Sequence, residues 1–303
     1  MSAPAPPSRE GLTAEQLEEL LVGDWLTVGP LRLNQDLSDE EFRPAVMLEN
    51  ARRFLRAALE PGGLPATAEG RLNRAALELL LDRMHWGAHD HAEPAGEELA
   101  ADARETDVRP LAITRVLLER LHLIERRASA FHATPLAVPL LAPEMAGRLL
   151  AKLFRGYFRD FDHSLADPED PAPDVHRHAE YSLWVVAQTC DTWRGTRELV
   201  ARLLPAGVAA AEAARLERLQ EASIAAHPSG PFVASPQELL LIRFLTILPD
   251  YGIVRAEGED QDTRYPSYRK TPLFDRLITF DFGVDPPPRL DWEGSPTHLR
   301  LVR

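Results

Sequence analysis

Residues 109–134 read RPLAITRVLLERLHLIERRASAFHAT, and in this stretch the helical spacing of apolar residues gives way to strand-like segments. The first half, Arg109 to Leu121, predicts a helix with Pro110 in its first turn, where the missing N–H is no loss. The second half predicts a hairpin with strands at Leu123–Arg127 and Phe131–Thr134. The fold class depends on what accompanies this helix and hairpin along the chain.

Two further helices precede this unit. Residues 47–59 and residues 71–83 carry apolar side chains at helical spacing, and an extended segment, 64–67, lies between them. The order helix, short strand, helix, helix, hairpin is that of a winged helix, in which the hairpin is the wing. Residues 43–144 are therefore predicted to form a first winged-helix domain.

The same order recurs in the second half of the chain. The predicted elements are a helix at 178–190, a short strand at 192–193, helices at 196–204, 208–226 and 236–248, and a wing at 252–256 and 268–271. The two wings also end alike, in Thr134-Pro135-Leu136 and Thr271-Pro272-Leu273. A repeat of this length indicates a duplicated domain. The sequence thus predicts a mostly α protein with short β-hairpins, built from tandem winged-helix domains.

The remaining segments complete the predicted domain organisation. Residues 1–42 are predicted to be a partly disordered extension, in which Thr13 and Gln16 form a capping box at the start of a helix. A connecting helix and an Asp- and Pro-rich linker are expected at 145–177, the second winged-helix domain at 178–283, and a tail at 284–303.

Composition bounds the class of protein. The 303 residues are 45% apolar and 27% charged, as expected of a globular chain. A single cysteine, Cys190, excludes an internal disulfide and fits a reducing compartment, so a cytoplasmic location is expected. No apolar run is long enough to cross a bilayer and no secretory signal opens the sequence, so we expect no membrane partner.

Net charge is −13, which argues at first against a nucleic-acid partner, because binding nucleic acid requires phosphates to be neutralised. The acidity is uneven along the chain. Residues 43–159 carry 17 basic and 15 acidic residues, whereas most of the excess acid lies in residues 1–42 and 160–235. The charge therefore permits DNA binding by the first module and disfavours it elsewhere.

In a winged helix the third helix enters the major groove and the wing follows the backbone. The predicted contacts to double-stranded DNA are Arg109, Thr114, Arg115 and Arg120 on the third helix, with Arg126 and Arg127 beside the wing. Further phosphate contacts are expected from Arg52, Arg53, Arg56, Arg71 and Arg74. The alternative is that these arginines are ordinary surface charges, paired at helical spacing with Glu49, Glu78, Glu119 and Glu125.

The second module offers no comparable basic surface. Its third helix, around Glu238 to Leu245, is nearly all apolar, and its wing tip, Glu257 to Asp262, would repel phosphate. We expect this module to be structural or to contact a protein partner or a second copy of the chain. A protein–protein interaction or self-association module without nucleic-acid binding is therefore the first alternative function.

Motifs of enzyme chemistry are few. Neither a Gly-rich phosphate loop nor a Gly-x-Ser-x-Gly elbow occurs, and Cys190 is expected to be a small core residue. His85, His89 and His91 have imidazoles suited to zinc or iron, which gives a metal-dependent enzyme as the second alternative. A second group of this kind is His163, His176 and His178. Because both groups lie in polar loops, the sequence favours a non-enzymatic function with no cofactor and no metal.

Three short segments resemble a bacterial family. They are GPLRLNQDLSDEE at 29–41, LENAR at 48–52 and GLPATAEGRLN at 63–73. They are similar to the helical, winged-helix-like region of plasmid-associated open-reading-frame-three-like proteins, and the resemblance extends over most of residues 29–282. We expect these 303 residues to lack the separate N-terminal domain that this family often carries. The family is essentially uncharacterised, so the resemblance implies a soluble bacterial protein and supplies no catalytic residue.

Overall fold

The computed structural model describes residues 12–42, 45–84, 104–161, 178–205, 244–258 and 266–283, with positions 207, 208, 210, 211, 214, 215 and 218. The helices are α1 (Ala14–Val22), α2 (Val46–Leu59), α3 (Arg74–Arg83), α4 (Arg109–Arg120), α5 (Ala137–Leu140), α6 (Ala146–Arg155), α7 (Ala179–Thr189), α8 (Thr196–Val200) and α9 (Pro272–Leu277). The strands are β1 (Leu31–Leu33), β2 (Leu64–Pro65), β3 (Ile124–Arg127), β4 (Ala130–Ala133), β5 (Arg194–Gly195), β6 (Val254–Glu257), β7 (Ser267–Lys270) and β8 (Ile278–Phe280). Tighter or wider helical turns occur at Asp39–Phe42, Glu105–Asp107, Pro143–Met145, Gly156–Asp160 and Pro249–Tyr251.

The strands form three small antiparallel sheets, with the orders β1-β8, β2-β4-β3 and β5-β7-β6. The prediction of helices combined with short β-hairpins is confirmed at this level. None of the helices described here is long and apolar enough to cross a membrane.

The chain divides into two compact units. The central unit consists of Gln35–Pro168 and Pro249–Gly252, and the discontinuous unit consists of Met1–Asn34, Glu169–Leu248 and Ile253–Arg303. The domain boundaries predicted from the sequence, 43–144 and 178–283, stay predictions.

The core of the central unit is built around α2, which packs against β4, α4 and α6. Its buried face includes Phe54 and Leu55, and Phe131 of β4 is buried beside it. α3 begins later than predicted because Asn73 supplies its cap, with the side-chain oxygen accepting from the Ala76 N–H at 3.0 Å. α4 begins at Arg109 as predicted.

A second layer of the central unit contains α6 and an aromatic cluster. Phe154 and Phe158 lie with ring centroids 4.6 Å apart, and Tyr251 meets Phe154 edge-on at 5.0 Å. The Tyr251 hydroxyl donates to the Leu153 carbonyl oxygen at 3.2 Å, so its one polar group is satisfied. At the other end of α6, Gly147 lies so close to Gln35 that a Cβ would meet its carbonyl oxygen at 2.3 Å.

The discontinuous unit packs α1 against α7 and pairs β1 with β8. The capping box predicted at the start of α1 is confirmed, with Thr13 and Gln16 each accepting from the backbone of the other. Trp184 of α7 contacts the rings of Phe280 and Phe282 near β8. The predicted short strand is two residues later than expected, at Arg194–Gly195.

The two three-stranded sheets repeat the same backbone contacts. The Thr134 N–H donates to the Leu123 carbonyl oxygen, and the Thr271 N–H donates to that of Ile253, both at 2.9 Å. Before each hairpin stands one residue with positive φ, His122 (56°) or Gly252 (70°). Two residues later, each first hairpin strand begins.

Candidate nucleic-acid interface

The helix expected to read DNA, α4, is largely committed to the core. Leu111, Leu117 and Leu118 are fully buried, and Ile113 is nearly so. Among the described side chains of α4, Arg120 alone is exposed. The helix therefore offers a narrow polar surface.

Thr114, one of the predicted base contacts, faces the core. Its side chain is 2% exposed, and its hydroxyl donates to the Pro110 carbonyl oxygen one turn earlier at 2.8 Å. Its spacing from Leu111 and Leu118 places it on their face of the helix, which is a signal available in the sequence. Thr114 therefore has no free polar atom at the surface.

Arg115 is held inside an ion-pair network. Its guanidinium pairs with the buried Glu105 and with Glu119 at 2.7 Å, and it lies 5.4 Å from the centroid of the Phe131 ring. Glu105 also accepts from the Leu72 N–H at 2.7 Å. Arg115 thus ties α4 to the segment before α3.

The other predicted α4 residues lie at the two ends of the helix. Arg109 is its first residue, and the side chain of Arg109 lies outside the described part of the structure. Arg120 is its last residue, is exposed, and forms no ion pair within the described ranges.

The hairpin places Arg126 and Arg127 at the surface. Arg127 pairs with Glu125 on the same strand, where its Nε donates at 2.9 Å. Arg126 reaches across to the turn before α3, and its guanidinium donates to the Ala68 carbonyl oxygen at 3.1 Å. A Cβ on Gly70 would lie 3.0 Å from the same guanidinium.

That turn borders a cleft with a volume of about 500 Å³. Arg71, Arg74 and Arg104 line it, and Arg126 stands at its edge beside Gly70. We call this group of four arginines and the space between them the arginine cleft. Asn73 also lines it and caps α3, so the N-terminus of that helix, with its partial positive charge, faces the same space.

Carboxylates partly offset the charge of the arginine cleft. Arg74 pairs with Glu78 at 2.7 Å, and Glu69 lies on the exposed turn. The pKa of Glu69 is lowered, first by a hydrogen bond from its own N–H, then by the Thr67 hydroxyl and the charges of Arg71 and Arg126. The remaining carboxylate of the lining, Glu105, is engaged by Arg115.

Four of the arginines form the ion pairs that the alternative interpretation expected, although Arg115 is largely buried and Arg127 pairs along a strand. The observed pairs are Arg53 with Glu49, Arg74 with Glu78, Arg115 with Glu119 and Arg127 with Glu125. Exposed pairs of this type contribute little free energy and open readily when a phosphate competes. Pairing therefore removes Arg115 from the surface but leaves the arginine cleft accessible.

The candidate metal ligands lie mostly outside the described residues. This applies to His85, His89 and His91 and to His163 and His176. Within the described ranges, no group of three or more His, Cys, Asp or Glu side chains could hold a metal ion. Cys190 is buried as predicted, and burial raises the pKa of its thiol to about 11, as expected of an unreactive core residue.

Two of the three basic residues in the hairpin strands of the discontinuous unit, Lys270 and Arg269, are engaged by neighbouring side chains, and the third, Arg255, is exposed. Lys270 pairs with Asp191 at 2.9 Å and with Asp275 at 2.7 Å. Arg269 lies over the ring of Trp193 at 5.6 Å. Residues 236–243 and 259–262, which include most of the predicted apolar helix and the acidic wing tip, lie outside the described part.

The central unit is thus a mixed domain of helices and a three-stranded antiparallel sheet, with an arginine cleft beside β2 and α3. Over residues 43–146, about a third of the chain, it matches the family model described as the Y4jL N-terminal domain. That description names no activity, and the resemblance to plasmid-associated open-reading-frame-three-like proteins stays a prediction. Comparisons with curated proteins and with solved structures found no match.

Proposed function

We propose that the central unit is a winged helix that binds double-stranded DNA mainly through the phosphate backbone, without catalysis. The element order α2, β2, α3, α4, β3, β4 and the sheet order β2-β4-β3 support a winged helix. The β5-β7-β6 sheet supports a second winged helix, so we retain the tandem arrangement as part of the proposal.

Arginine content supports a phosphate-binding role. Residues 43–159 carry 17 Lys and Arg against 15 Asp and Glu, a small excess of basic residues. Guanidinium groups bind phosphate through a planar fork that ammonium groups lack, and 16 of these 17 basic residues are arginines. The arginines therefore support phosphate contacts through their geometry, and the net charge of the module adds little to the attraction of a polyanion.

The observation that carries the proposal is a cleft lined by three arginines, with the guanidinium of a fourth, Arg126, on the turn beside it. Arg71, Arg74 and Arg104 come from the α3 turn and the segment before α4, and Arg126 comes from the wing. Helix N-termini and arginine side chains are frequent phosphate ligands in protein–DNA interfaces. Arg120 and Arg127 are exposed and lie close to Arg126 in the sequence, and we include them in the proposed surface.

The buried character of α4 favours binding that depends little on base sequence. Base readout needs polar side chains that reach the base edges from a groove-facing helix. Thr114 and Arg115 are both engaged within the protein, so among the described side chains that the sequence predicted on α4 only Arg120, at the end of the helix, is left for this task. We therefore expect phosphate contacts to provide most of the affinity.

Fluorescence anisotropy with a labelled random duplex and the full-length chain tests the proposal. The Arg71→Ala/Arg126→Ala variant should bind at least roughly tenfold more weakly near 50 mM salt. Its plot of log K against log salt should be flatter, by roughly 0.9 for each lost phosphate contact. A second, unrelated duplex should bind the wild-type chain with a similar affinity.

The matched control is Arg148→Ala/Lys152→Ala. Both are exposed basic residues of the central unit outside the cleft and outside the predicted phosphate contacts, so the control removes the same net charge. Equal weakening by the two double variants would mean that the overall charge of the unit, and not the arginine cleft, provides the affinity for DNA. Absence of binding by the wild-type chain at about 50 mM salt would exclude the proposed function altogether.

A further inference from the structure

A groove beside α1 in the discontinuous unit combines acidic and apolar side chains. It is lined by Glu15, Glu18, Glu19, Val22 and Val28, together with two glycines, and its volume is about 460 Å³. We call it the acidic groove. Neither the proposed DNA surface nor any motif in the sequence accounts for it.

Within the described residues, the charge of the acidic groove is not compensated by a basic side chain. Glu15, Glu18 and Glu19 are exposed and lie at positions i, i+3 and i+4, so their carboxylates share one face of α1 and repel one another. None of them forms an ion pair with another residue in the described ranges. Arg32 is the one basic residue between positions 12 and 42. A cationic partner would relieve this repulsion.

The apolar part of the groove is also exposed. Val22 is 70% exposed and Val28 is 58% exposed, and both line the same depression. Single exposed apolar side chains are ordinary on a protein surface. Two valines next to three free carboxylates form a surface that is apolar at its centre and charged at its edge, as in many binding interfaces.

The turn that carries Val28 is held rigidly by Asp24. Its carboxylate accepts from the N–H groups of Leu26, Thr27 and Val28 at 2.8, 2.6 and 2.7 Å, and from the Thr27 hydroxyl at 2.6 Å. The Thr27 hydroxyl and these N–H groups hold the pKa of Asp24 well below its usual range. The turn therefore keeps its hydrogen bonds at neutral pH.

Two further contacts fix the turn to the rest of the unit. Gly29, with φ at 95°, lies so close to Gly23 that a Cβ would be 2.4 Å from the Gly23 Cα. Trp25 is fully buried, and its Nε1–H donates to Glu180 of α7 at 3.1 Å. Because the groove is preformed, a partner would not have to order it on binding, which favours affinity.

We propose that the acidic groove docks a basic protein segment in which an aliphatic side chain is flanked by Lys or Arg. The aliphatic side chain packs against Val22 and Val28, and the basic side chains pair with Glu15, Glu18 and Glu19. Nucleic acid does not fit this surface because its phosphates would be repelled. A lone metal ion would leave the two valines uncovered.

Selection from a random 12-residue peptide library displayed on phage tests this proposal with the full-length chain as bait. Peptides that bind the wild-type chain should be enriched in Lys and Arg with Leu, Ile or Val between them. Each recovered peptide is then synthesised, and its affinity is measured by anisotropy for the wild-type chain and for three variants.

The first variant is Glu15→Gln/Glu18→Gln/Glu19→Gln and the second is Val22→Ser/Val28→Ser. Each should weaken peptide binding at least tenfold. The charge-matched control neutralises three exposed acids elsewhere, as Glu144→Gln/Glu198→Gln/Glu257→Gln, and should change affinity less than twofold. Circular dichroism melts establish that the variants are folded.

Four outcomes would overturn the proposal. They are failure of the library to yield an enriched peptide, equal affinity of the peptides for all variants, loss with the glutamine variant but not with the serine variant, and self-association through the groove. The third outcome would indicate unspecific charge attraction. The fourth would appear in sedimentation as a wild-type dimer that the groove variants lack, and would identify a second copy of the chain as the occupant.

Discussion

The two three-stranded sheets share a backbone pattern but differ in how each accommodates a largely buried cation. Arg115, which lies over Phe131 of the first sheet, and Lys270 in the second sheet each have a side chain 11% exposed. The main partner of Arg115 is Glu105, which is 1% exposed, whereas the partners of Lys270, Asp191 and Asp275, are 57% and 59% exposed. Arg115, on α4 beside the first sheet, is therefore paired inside the protein, whereas Lys270 in the second sheet is paired at the surface.

This difference shows that one topology can carry two distinct charge patterns. Backbone hydrogen bonds such as those from Thr134 and Thr271 recur in both sheets, because they depend on strand pairing and not on side-chain identity. The buried pair of Arg115 and Glu105 ties α4 into the core. The positive charges at the surface of this region are then those of the arginine cleft. The proposed division of roles between the two hairpins therefore rests on side chains alone.

The largest expected effects come from the aromatic residues at equivalent places in the two sheets. Phe131 pairs with Leu64 across β4 and β2, and Tyr268 pairs with Arg194 across β7 and β5, and both side chains are buried. Phe131→Ala and Tyr268→Ala should each lower the free energy of unfolding by about 3–5 kcal/mol. Urea denaturation followed by circular dichroism measures both, with Arg148→Ala as an exposed control. A loss below about 1 kcal/mol at one position only would break the equivalence of the two sheets.

The next effect separates the two cation environments. Glu105→Gln removes the charge that Arg115 faces in the interior, and should cost about 2 kcal/mol of unfolding free energy. Asp275→Asn should cost less than about 0.5 kcal/mol, because its carboxylate is solvated and Lys270 keeps Asp191. The same urea titrations measure both variants. Equal costs would mean that burial of the partner carboxylate does not distinguish the two sheets.

A smaller effect tests the residue that ends the helix before each hairpin. His122 closes α4 in a Schellman-type arrangement, with the Leu123 N–H donating to the Leu118 carbonyl oxygen at 2.9 Å. Its positive φ suits glycine, which stands at the equivalent position as Gly252. His122→Gly should therefore stabilise the chain by about 0.5 kcal/mol, and Gly252→Ala should destabilise it by about 1–2 kcal/mol. Thermal unfolding of the two variants should show shifts of opposite sign, and shifts of the same sign would contradict the shared conformation.

Much of this repeat could be predicted from local sequence. The helix predicted at 47–59 is observed as Val46–Leu59, and the first hairpin differs from its prediction by one residue at each strand. Apolar spacing and the N-terminal Pro110 set these elements locally, so no distant contact was needed. The β1-β8 pairing joins residues far apart in sequence, so local patterns carry no signal for it.

The candidate site was less accessible to sequence reasoning. The predicted surface counted arginines on α4, but spacing alone did not show that Arg115 would meet Glu105 and Phe131. Sequence patterns did not predict that Arg104 lines the arginine cleft, because Arg104 stands more than thirty residues from Arg71 along the chain and only the fold brings the two together. Helical spacing did carry one usable signal, since it places Thr114 on the face of Leu111 and Leu118.

The smallest expected effect is a difference in alkaline stability between the two cation environments. Burial alone would lower the pKa of Lys270, but its hydrogen bonds to Asp275 and Asp191 outweigh burial and raise it. A folded-state pKa above the unfolded value of about 10.4 means that the stabilisation is complete below that pH. It is then lost as the pH rises through the folded-state pKa.

Lys270→Arg removes this titration while keeping a cation between the two aspartates, and Arg115 already has a guanidinium that does not titrate in this range. The difference in unfolding free energy between the wild-type chain and Lys270→Arg should stay constant from about pH 7 to 9. Above about pH 10 the wild-type chain should lose stability relative to the variant. Tyr251 and Tyr268, whose pKa values burial raises, are present in both proteins, so their contributions cancel in this difference. Urea titrations at each pH measure it. A difference that stays flat across the whole range would mean that the exposed aspartates do not stabilise the charged form of Lys270. Of the two ion-pair systems, only the Arg115 network would then stabilise the sheet beside it.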